Sequence, residues 1–300
     1  MTKILITGGT GFIGSALSKR LLAQNYEVTI LSRFPETVIK MGLEGVNALN
    51  SLSNLTSDDT FQVIINLAGA PIFGARWTEA RKQLLRQSRI NLTEELVTCM
   101  ARMTVKPELL ISGSAIGYYG DQGDYVITEQ SEVKHDFSQQ LCTDWEQAAK
   151  KAEQLGVRVC LIRTGLVLGE GGLLKRMLLP FRLGLGGRLG KGTQWMSWIH
   201  IQDWLSIAER MIIDNSMSGA YNATAPNPVT NNEFTDVLAK SLNRPALFPI
   251  SAGLLTVLLG EMSSLVLGSQ RVIPERLQAL DFIFQYTDLA AALSQIIKRT

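Results

Sequence analysis

The stretch Ile4-Leu5-Ile6-Thr7-Gly8-Gly9-Thr10-Gly11-Phe12-Ile13-Gly14 decides how the rest of the chain is organised. Its leading apolar residues have the length of a buried strand, and Ile13, Leu17 and Leu21 recur at the spacing of one helix face. The glycines between them predict a tight turn, because glycine lets the backbone bend sharply and lets a ligand approach without a Cβ in the way. A helix that begins at such a turn offers unpaired N–H groups and a positive dipole end to an anion.

A strand, a glycine turn and a helix in this order form the first βα unit of dinucleotide-binding folds, where the turn holds a pyrophosphate. Glycines at positions 8, 11 and 14 would also fit a plain structural turn, but the flanking strand and helix favour the nucleotide. We therefore predict cofactor contacts from this turn, made by Gly8, Thr10, Gly11, Phe12, Ile13 and Gly14.

The second predicted strand, Glu27 to Leu31, ends at Ser32 and Arg33. In dinucleotide-binding folds this strand end meets the adenosine ribose, where a carboxylate favours NAD and an arginine accommodates the 2′-phosphate of NADP. The nearest carboxylate, Glu36, lies beyond Pro35. An arginine in a surface loop is the alternative, but we predict that Ser32 and Arg33 contact the cofactor and that the cofactor is NADP(H).

Further strands alternate with helices along the first half of the chain. Apolar runs predict strands at 63–67, 109–112 and 157–163, and helical patterns cover 78–102 and 137–154. This alternation predicts an α/β protein with a Rossmann-type, doubly wound parallel sheet. Ligands lie outside the carboxyl ends of such strands, so Leu67, Ala68 and Gly69 are predicted to form part of the cofactor wall.

The pattern changes after about residue 170. We expect residues 1–165 to form an NADP-binding Rossmann domain, with strands near 195–225 rejoining its sheet. Residues 166–300 are expected to form a smaller, mixed and mainly helical substrate lobe, helical above all at about 245–300. The uncharged stretch 245–260 is too short and too interrupted to span a bilayer, so it is predicted to be a buried helix.

Two residues near position 200 have structural interpretations. His200 lies between Ile199 and Ile201 in a short predicted strand, which favours a hydrogen-bonded core residue over a catalytic one. Asp203 is placed to cap the helix that follows.

Composition excludes several classes of protein. The net charge is +2, with 46% hydrophobic and 19% charged residues, so there is no electrostatic basis for binding nucleic acid or an anionic membrane. The three cysteines, Cys99, Cys142 and Cys160, show neither a disulfide framework nor metal-ligand spacing, so no metal is predicted. A reducing cytoplasm is the expected location. No signal peptide is predicted, because the apolar N-terminus has only strand length.

Four longer motifs carry a family resemblance. They are Ser-Gly-Ser-Ala-Ile-Gly-Tyr-Tyr-Gly at 112–120, Arg-Thr-Gly-Leu-Val-Leu at 163–168, Pro-Phe-Arg-Leu-Gly-Leu-Gly-Gly at 180–187 and Trp-Ile-His-Ile at 198–201. With the glycine turn, they resemble the extended, epimerase-like branch of the short-chain dehydrogenase/reductases. More narrowly, they resemble uncharacterised epimerase-family proteins that carry their own C-terminal domain.

The resemblance covers nearly the whole chain. It implies an NADP(H)-binding oxidoreductase that acts on a small carbonyl or hydroxyl compound, with nucleotide-sugar-like substrates among the candidates. Members of this branch are often dimers, so a homodimer is one expectation by analogy.

The same resemblance implies a catalytic serine and a Tyr-x-x-x-Lys pair. Ser114 matches the serine that orients the substrate oxygen, with Ser112 as its neighbouring rival. The pair falls at Ser138 and Cys142. A serine hydroxyl is far less acidic than a phenol, and a neutral thiol supplies no fixed positive charge, so the usual mechanism lacks its proton donor.

Three residues are candidates for the missing functions. Tyr118 and Tyr119 lie close to Ser114 in sequence and could offer a phenol, although packing at the sheet edge would explain them equally well. Arg89 lies in a helix expected to pass along the cofactor, so its guanidinium could pair with phosphate; a solvated helix face is the alternative.

Two functions remain open from the sequence. The first is an oxidoreductase with an atypical active site. The second is a non-catalytic NADP(H)-binding sensor or partner-binding protein, which would explain intact cofactor glycines beside an absent catalytic pair.

Overall fold

The computed structural model describes residues 1–298 and is built around one parallel sheet. The sheet strands are β1 (Lys3–Thr7), β2 (Glu27–Leu31), β3 (Asn47–Leu49), β4 (Val63–Asn66), β5 (Leu109–Ala115), β7 (Arg158–Thr164) and β11 (Gly219–Ala223). Their order is β11-β7-β5-β4-β1-β2-β3, and every neighbouring pair is parallel. Short two-stranded pairs are made by β6 (Val126–Ile127), β8 (Leu166–Leu168), β9 (Trp195–Met196), β10 (Trp198–His200), β12 (Val229–Thr230) and β13 (Arg271–Val272).

Helices connect the strands and cover both faces of the sheet. They are α1 (Phe12–Ala23), α2 (Pro35–Lys40), α3 (Glu79–Arg86), α4 (Leu92–Arg102), α5 (Phe137–Lys150), α6 (Gly172–Arg182), α7 (Ile201–Ile213), α8 (Asn231–Ser241), α9 (Ala252–Leu259), α10 (Ser264–Leu267), α11 (Glu275–Ala279) and α12 (Leu289–Ile297). A π-helical turn, Gln87–Asn91, joins α3 to α4. Among residues 1–298, no helix has both the length and the apolar character needed to cross a bilayer.

The sheet is buried on both faces, which explains its continuous apolar strands. Along β1, Ile4 and Ile6 pack into the cluster that contains Leu17 of α1. Leu5, between them, points into the opposite cluster with Leu96 of α4. The doubly wound α/β fold predicted from the sequence is therefore confirmed.

The strand order reverses at the contact between β1 and β4. From β1 the chain builds outward through β2 and β3, whereas β4 begins the other half through β5, β7 and β11. Thr7 and Asn66 pair at the carboxyl ends of β1 and β4. Ligands of doubly wound sheets bind in the crevice outside such a switch point, so this edge locates the candidate site.

The C-terminal part adds a third hydrophobic cluster that joins α6, α8 and α12. Strand β11 returns to the large sheet beside β7, whereas β9 and β10 pair with β12 and β8 in separate two-stranded sheets. The boundaries at 1–165, 166–300 and about 245–300 remain predictions, and positions 299 and 300 lie outside the described residues.

The prediction of a buried helix at 245–260 is wrong. The helix there, α9, exposes 50% of Leu254, 70% of Val257 and 54% of Leu258, and among its residues only Leu255 is buried. A stretch without charged residues therefore does not predict burial for a two-turn helix that packs on the protein through one face only.

The prediction that Asp203 caps the following helix is also wrong. His200 caps α7, with Nδ1 accepting from the N–H of Gln202 at 3.2 Å. The Asp203 carboxylate instead accepts from the backbone N–H groups of Gln285 (2.7 Å) and Tyr286 (3.0 Å). The Asp203 side chain therefore bonds to a segment that is distant in sequence, and not to the N-terminus of α7 as the local spacing predicted.

Candidate dinucleotide and substrate site

The glycines of the first turn serve different purposes. Gly8 has a φ of +72°, and a Cβ there would lie 2.7 Å from the carbonyl oxygen of Leu67. A Cβ on Gly14 would overlap the carbonyl oxygen of Gly8. A Cβ on Gly11 would meet only that same oxygen, at 3.2 Å. Internal packing therefore requires glycine at 8 and 14, whereas Gly11 keeps the approach to the turn open.

The N-terminus of α1 is built to receive an anion. Gly11 is its N-cap, no side chain caps the helix, and the first turn carries no acidic residue. Its N–H groups and positive dipole end therefore point toward the crevice without a protein partner among the described side chains. The ring of Phe12 packs against Gly169, Gly171 and Gly172, which holds the loop after β8 beside the turn.

The end of β2 carries an exposed cation. The Ser32 hydroxyl accepts from the N–H of Phe34 at 3.2 Å, which shapes the turn after the strand. Arg33 lies over the Phe34 ring, with 5.9 Å between its guanidinium carbon and the ring centre. Across residues 1–298, no carboxylate forms an ion pair with Arg33.

A buried hydrogen-bond chain ties the end of β4 to the sheet and to the π-helical turn. Thr7 donates to the Asn66 side-chain oxygen at 2.6 Å, and Asn66 donates to Thr93 at 2.8 Å. Thr93 then donates to the carbonyl oxygen of Arg89 at 2.6 Å. The chain fixes the backbone next to Leu67 and Ala68, the predicted cofactor wall.

Arg89 lies against this wall. Its guanidinium carbon would be 2.9 Å from a Cβ on Gly69, and it donates to the carbonyl oxygens of Ala70 (3.0 Å) and Leu85 (3.3 Å). Burial lowers the pKa of Arg89 from its ordinary value. The π-helical turn that carries it is a local irregularity of the kind that occurs often at functional sites. Arg89 thus lies directly beside Gly69.

Ser114, at the end of β5, hydrogen-bonds to a buried ion pair. Its hydroxyl donates to Glu146 Oε1 at 2.7 Å, and Arg163 binds both carboxylate oxygens of Glu146, at 2.8 and 2.9 Å. Burial opposes ionisation of Arg163, but the hydrogen bonds and charge of Glu146 raise the pKa of Arg163 above its ordinary value. Since the one Ser114 proton is used by Glu146, the Ser114 oxygen has only acceptor capacity to offer a ligand.

Tyr119 is a structural residue. It is fully buried, and its hydroxyl donates to Asn222 (2.6 Å) and accepts from Arg163 (3.0 Å). Burial raises the pKa of Tyr119 to about 12. Tyr118 is only partly buried, and its ring centre lies 3.5 Å from the guanidinium carbon of Arg163. Of the two phenols proposed as substitutes, the structure favours packing for Tyr119 and keeps Tyr118 as the candidate.

The two positions of the expected Tyr-x-x-x-Lys pair lie next to Gly117, just after the end of β5. Ser138 and Cys142 are buried on α5, and a Cβ on Gly117 would lie 3.3 Å from the Ser138 Cβ. Burial, and after it the charge of Glu146, raises the pKa of Cys142 to about 12, so this thiol stays protonated. The Ser138 hydroxyl is buried and has no hydrogen-bond partner among residues 1–298.

Glu146 is a site residue that none of the sequence motifs identifies. It lies four residues after Cys142 and eight after Ser138, so all three share one face of α5. That spacing was the available signal. Its partner Arg163 comes from β7 and could be identified only through the strand order. No group of three or more His, Cys, Asp or Glu residues that could hold a metal occurs in the described part of the chain.

The glycine turn lies at a switch point and leads into a helix without a side-chain cap, and polar side chains lie at the neighbouring strand ends. These features define a dinucleotide-binding α/β protein. The sequence matches the NAD dependent epimerase/dehydratase family over residues 4–223, and a domain of unknown function, DUF1731, over residues 250–296. The chain belongs to the NAD dependent epimerase/dehydratase family, which confirms the resemblance to epimerase-like proteins.

Relatives match along the full chain. Epimerase family protein YfhF of Bacillus subtilis is 38% identical over 296 residues, which cover 98% of this chain and 97% of that protein. Epimerase family protein MW0731 of Staphylococcus aureus is 38% identical over 300 residues, or 99% and 100% of the two chains. A crystal structure of human epimerase family protein SDR39U1 (isoform 2) with NADPH has a TM-score of 0.90 and 32% identity, with both chains fully covered.

Proposed function

We propose that this protein is an NADP(H)-dependent, epimerase-like oxidoreductase that acts on a small carbonyl or hydroxyl compound. The observation that carries the proposal is the uncapped N-terminus of α1 at the β1–β4 switch point, one strand away from Ser114 at the end of β5. The NADPH in the structure of the human relative supports NADP(H) as the cofactor. Arg33 supports the same choice, because it is an exposed cation at the strand end that meets the adenosine ribose.

The residues of the turn fit a pyrophosphate. Gly11 leaves the approach open, and the backbone N–H groups at the start of α1 supply donors that no side chain uses. The cofactor contacts we assign are Gly8, Thr10, Gly11, Phe12, Ile13, Gly14, Ser32, Arg33, Leu67, Ala68, Gly69 and Arg89. When bound, the nicotinamide supplies or accepts a hydride.

Ser114 is the residue that we assign to the substrate oxygen. Its hydroxyl proton is committed to Glu146, so Ser114 accepts a hydrogen bond from a substrate hydroxyl rather than donating one to a carbonyl. A proton that leaves the substrate hydroxyl can pass to the Ser114 oxygen while the Ser114 proton passes to Glu146. This path uses a buried carboxylate where the wider superfamily uses a phenol, and Tyr118 is the nearest phenol that remains partly accessible.

A second candidate function is a non-catalytic NADP(H) sensor or partner-binding protein. The observation that favours it is the pair Ser138 and Cys142, which offers neither a phenol nor a positive charge at the positions of the usual catalytic pair. In that case the cofactor turn would serve recognition alone. Substrate turnover decides between the two functions.

The test measures binding first and turnover second. NADPH is titrated into the protein by calorimetry. Carbonyl compounds with NADPH, and hydroxyl compounds, including nucleotide sugars, with NADP⁺, are then screened by nicotinamide absorbance. We expect NADPH binding and turnover of at least one compound. Ser114→Ala should abolish that turnover and keep NADPH affinity. The matched control Ser112→Ala, two residues earlier on β5, should retain both.

Each negative result has its own consequence. NADPH binding without turnover of any compound would favour the sensor. Equal turnover by Ser114→Ala and wild type would remove Ser114 from the reaction. A protein that does not bind NADPH would contradict both functions.

A further inference from the structure

Two guanidinium groups converge beside the loop that follows β4. Arg81 donates from a terminal nitrogen to the carbonyl oxygen of Pro71, and Arg89 donates to the carbonyl oxygen of Ala70. Because these carbonyls belong to adjacent residues, the two positive charges are held close together. The charge of Arg81 adds to burial in lowering the pKa of Arg89, as expected for neighbouring cations.

Neither cation has an anionic partner within the described chain. No Asp or Glu among residues 1–298 forms an ion pair with Arg81 or Arg89. The other basic residues of α3 differ in this respect. Lys82 pairs with Glu261 at 2.6 Å, and Arg86 pairs with Asp144 at 2.7 Å. Within α3 and the π-helical turn, the basic residues without an anion are therefore the two arginines that face the loop.

Arg81 also has an unsatisfied donor. Its Nε is buried and has no hydrogen-bond partner, and within residues 1–298 the only other side-chain atom in this condition is the Ser138 hydroxyl oxygen. A guanidinium does not lose its proton in proteins, so Nε–H remains a donor at any working pH. A buried donor without an acceptor is destabilising, and such groups in native proteins usually mark a missing ligand or water.

Arg81 lies between the predicted cofactor wall and an apolar cluster. Arg89 lies at the cofactor wall beside Gly69, and its charge also interacts with Cys142 of α5. Arg81 lies two helical turns earlier, next to an apolar cluster formed by α3, α5 and the C-terminal segment. The cluster comprises Trp77, Leu85, Leu141 and Met262, with Phe137 and Leu259 packed against them. Low polarity around the site strengthens any charge–charge interaction made there.

From these observations we infer that Arg81, assisted by the charge of Arg89, binds an oxyanion group of the substrate, either a phosphate or a carboxylate. The inference rests on the proposed function, because it assigns a substrate feature to the same crevice. A planar guanidinium that uses one terminal nitrogen for Pro71 still presents Nε–H, the donor that oxyanions accept from arginine. The substrate class is thus a small hydroxyl or carbonyl compound with an anionic group.

Calorimetric titration of the full-length protein, saturated with NADP⁺, tests the inference. Inorganic phosphate is the probe in one series and acetate in the other, which distinguishes a phosphate site from a carboxylate site. We expect saturable binding of one of them and a loss of about tenfold or more in affinity for Arg81→Gln. Arg81→Lys keeps the charge without Nε–H, so its loss should be smaller. Arg102→Gln, on the exposed end of α4, is the matched control and should bind as wild type does.

Three results would overturn the inference. They are no saturable binding of either probe to wild type, equal loss in Arg81→Gln and Arg102→Gln, or competition between phosphate and NADPH for one site. NADPH titration of every variant separates this inference from the proposed function. If Arg81→Gln binds NADPH and the probe as wild type does, only the anion site is rejected. Should Arg81→Gln not fold, Arg81→Lys carries the comparison.

Discussion

The hydroxyl of Ser114 donates to Glu146 Oε1 at 2.7 Å, across 32 residues of sequence. This contact determines whether the Ser114 hydroxyl can donate or only accept a further hydrogen bond. In the wider superfamily the serine works beside a tyrosine that supplies a proton, whereas here the serine proton is bound to a carboxylate. A ligand bound at Ser114, as we propose, would therefore meet a hydrogen-bond acceptor, which suits a substrate alcohol better than a substrate carbonyl.

Glu146→Gln should destabilise the protein strongly. The replacement leaves the Arg163 guanidinium buried without its carboxylate, for which we expect a loss of about 3–5 kcal/mol in the free energy of unfolding. Urea denaturation measures it. Glu94→Gln is the control, because Glu94 pairs with Lys151 on the surface and should change stability by less than about 1 kcal/mol. Similar losses in both variants would show that the buried pair is not a special contributor.

The protein should lose stability in alkali through Cys142. The unfolded thiol has a pKa near 9.0, and burial raises the pKa of Cys142 to about 12 in the folded state. Between these values the unfolded state binds fewer protons, so the free energy of unfolding falls as pH rises from about 9 to 12 and is unaffected by this group below pH 9. Each unit corresponds to about 1.4 kcal/mol as an upper bound.

Comparison with Cys142→Ala isolates that contribution. Urea denaturation at a series of alkaline pH values should give a shallower decline for the variant than for wild type. Tyr119, whose pKa rises from 10.0 to about 12, leaves a remaining decline above pH 10 in both proteins. Parallel curves would mean that Cys142 ionises in the folded state as easily as in the unfolded one.

Gly14→Ala should lose stability, whereas Gly11→Ala should lose NADPH affinity. A Cβ on Gly14 overlaps the carbonyl oxygen of Gly8, so Gly14→Ala should lose stability by about 1–3 kcal/mol, as overpacked sites do. A Cβ on Gly11 is 3.2 Å from its nearest neighbour and projects where a pyrophosphate would approach. Gly11→Ala should therefore stay folded and bind NADPH about tenfold or more weakly. Thermal denaturation and calorimetry give the two readouts; wild-type NADPH affinity in Gly11→Ala would remove the turn from the cofactor site.

Arg33→Ala should reduce the preference for NADPH over NADH. A hydrogen bond to a charged group contributes about 1.5–3 kcal/mol, which corresponds to a loss of about tenfold to a hundredfold in NADPH affinity. NADH affinity should hardly change, because NADH lacks the 2′-phosphate. Calorimetric titration of both nucleotides measures the ratio, with Arg102→Ala as the control for surface charge. A uniform loss for both nucleotides would contradict a 2′-phosphate contact.

The sequence alone sufficed for the elements that depend on local pattern. Strand β2 has the bounds Glu27–Leu31 that its sequence predicts. The sequence Thr-Asn-Asn-Glu at 230–233 has the pattern of an N-terminal capping box, and Thr230 does cap α8 by accepting from the N–H of Glu233. Turns, caps and periodic helices involve residues a few positions apart, so the chain specifies them before it folds.

Tertiary contacts decided the chemistry of the site. Glu146, Arg163 and Ser114 come from α5, β7 and β5, and only the strand order brings β5 and β7 side by side. Packing likewise committed Tyr119 to Asn222, moved Asp203 to the C-terminal segment and left α9 largely exposed. The glycine turn and the family motifs, read from sequence, determined that a dinucleotide-binding fold forms. Which hydroxyl donates, which accepts and which cation remains without an anion depend on side chains far apart in sequence, whose distances exist only in the folded chain.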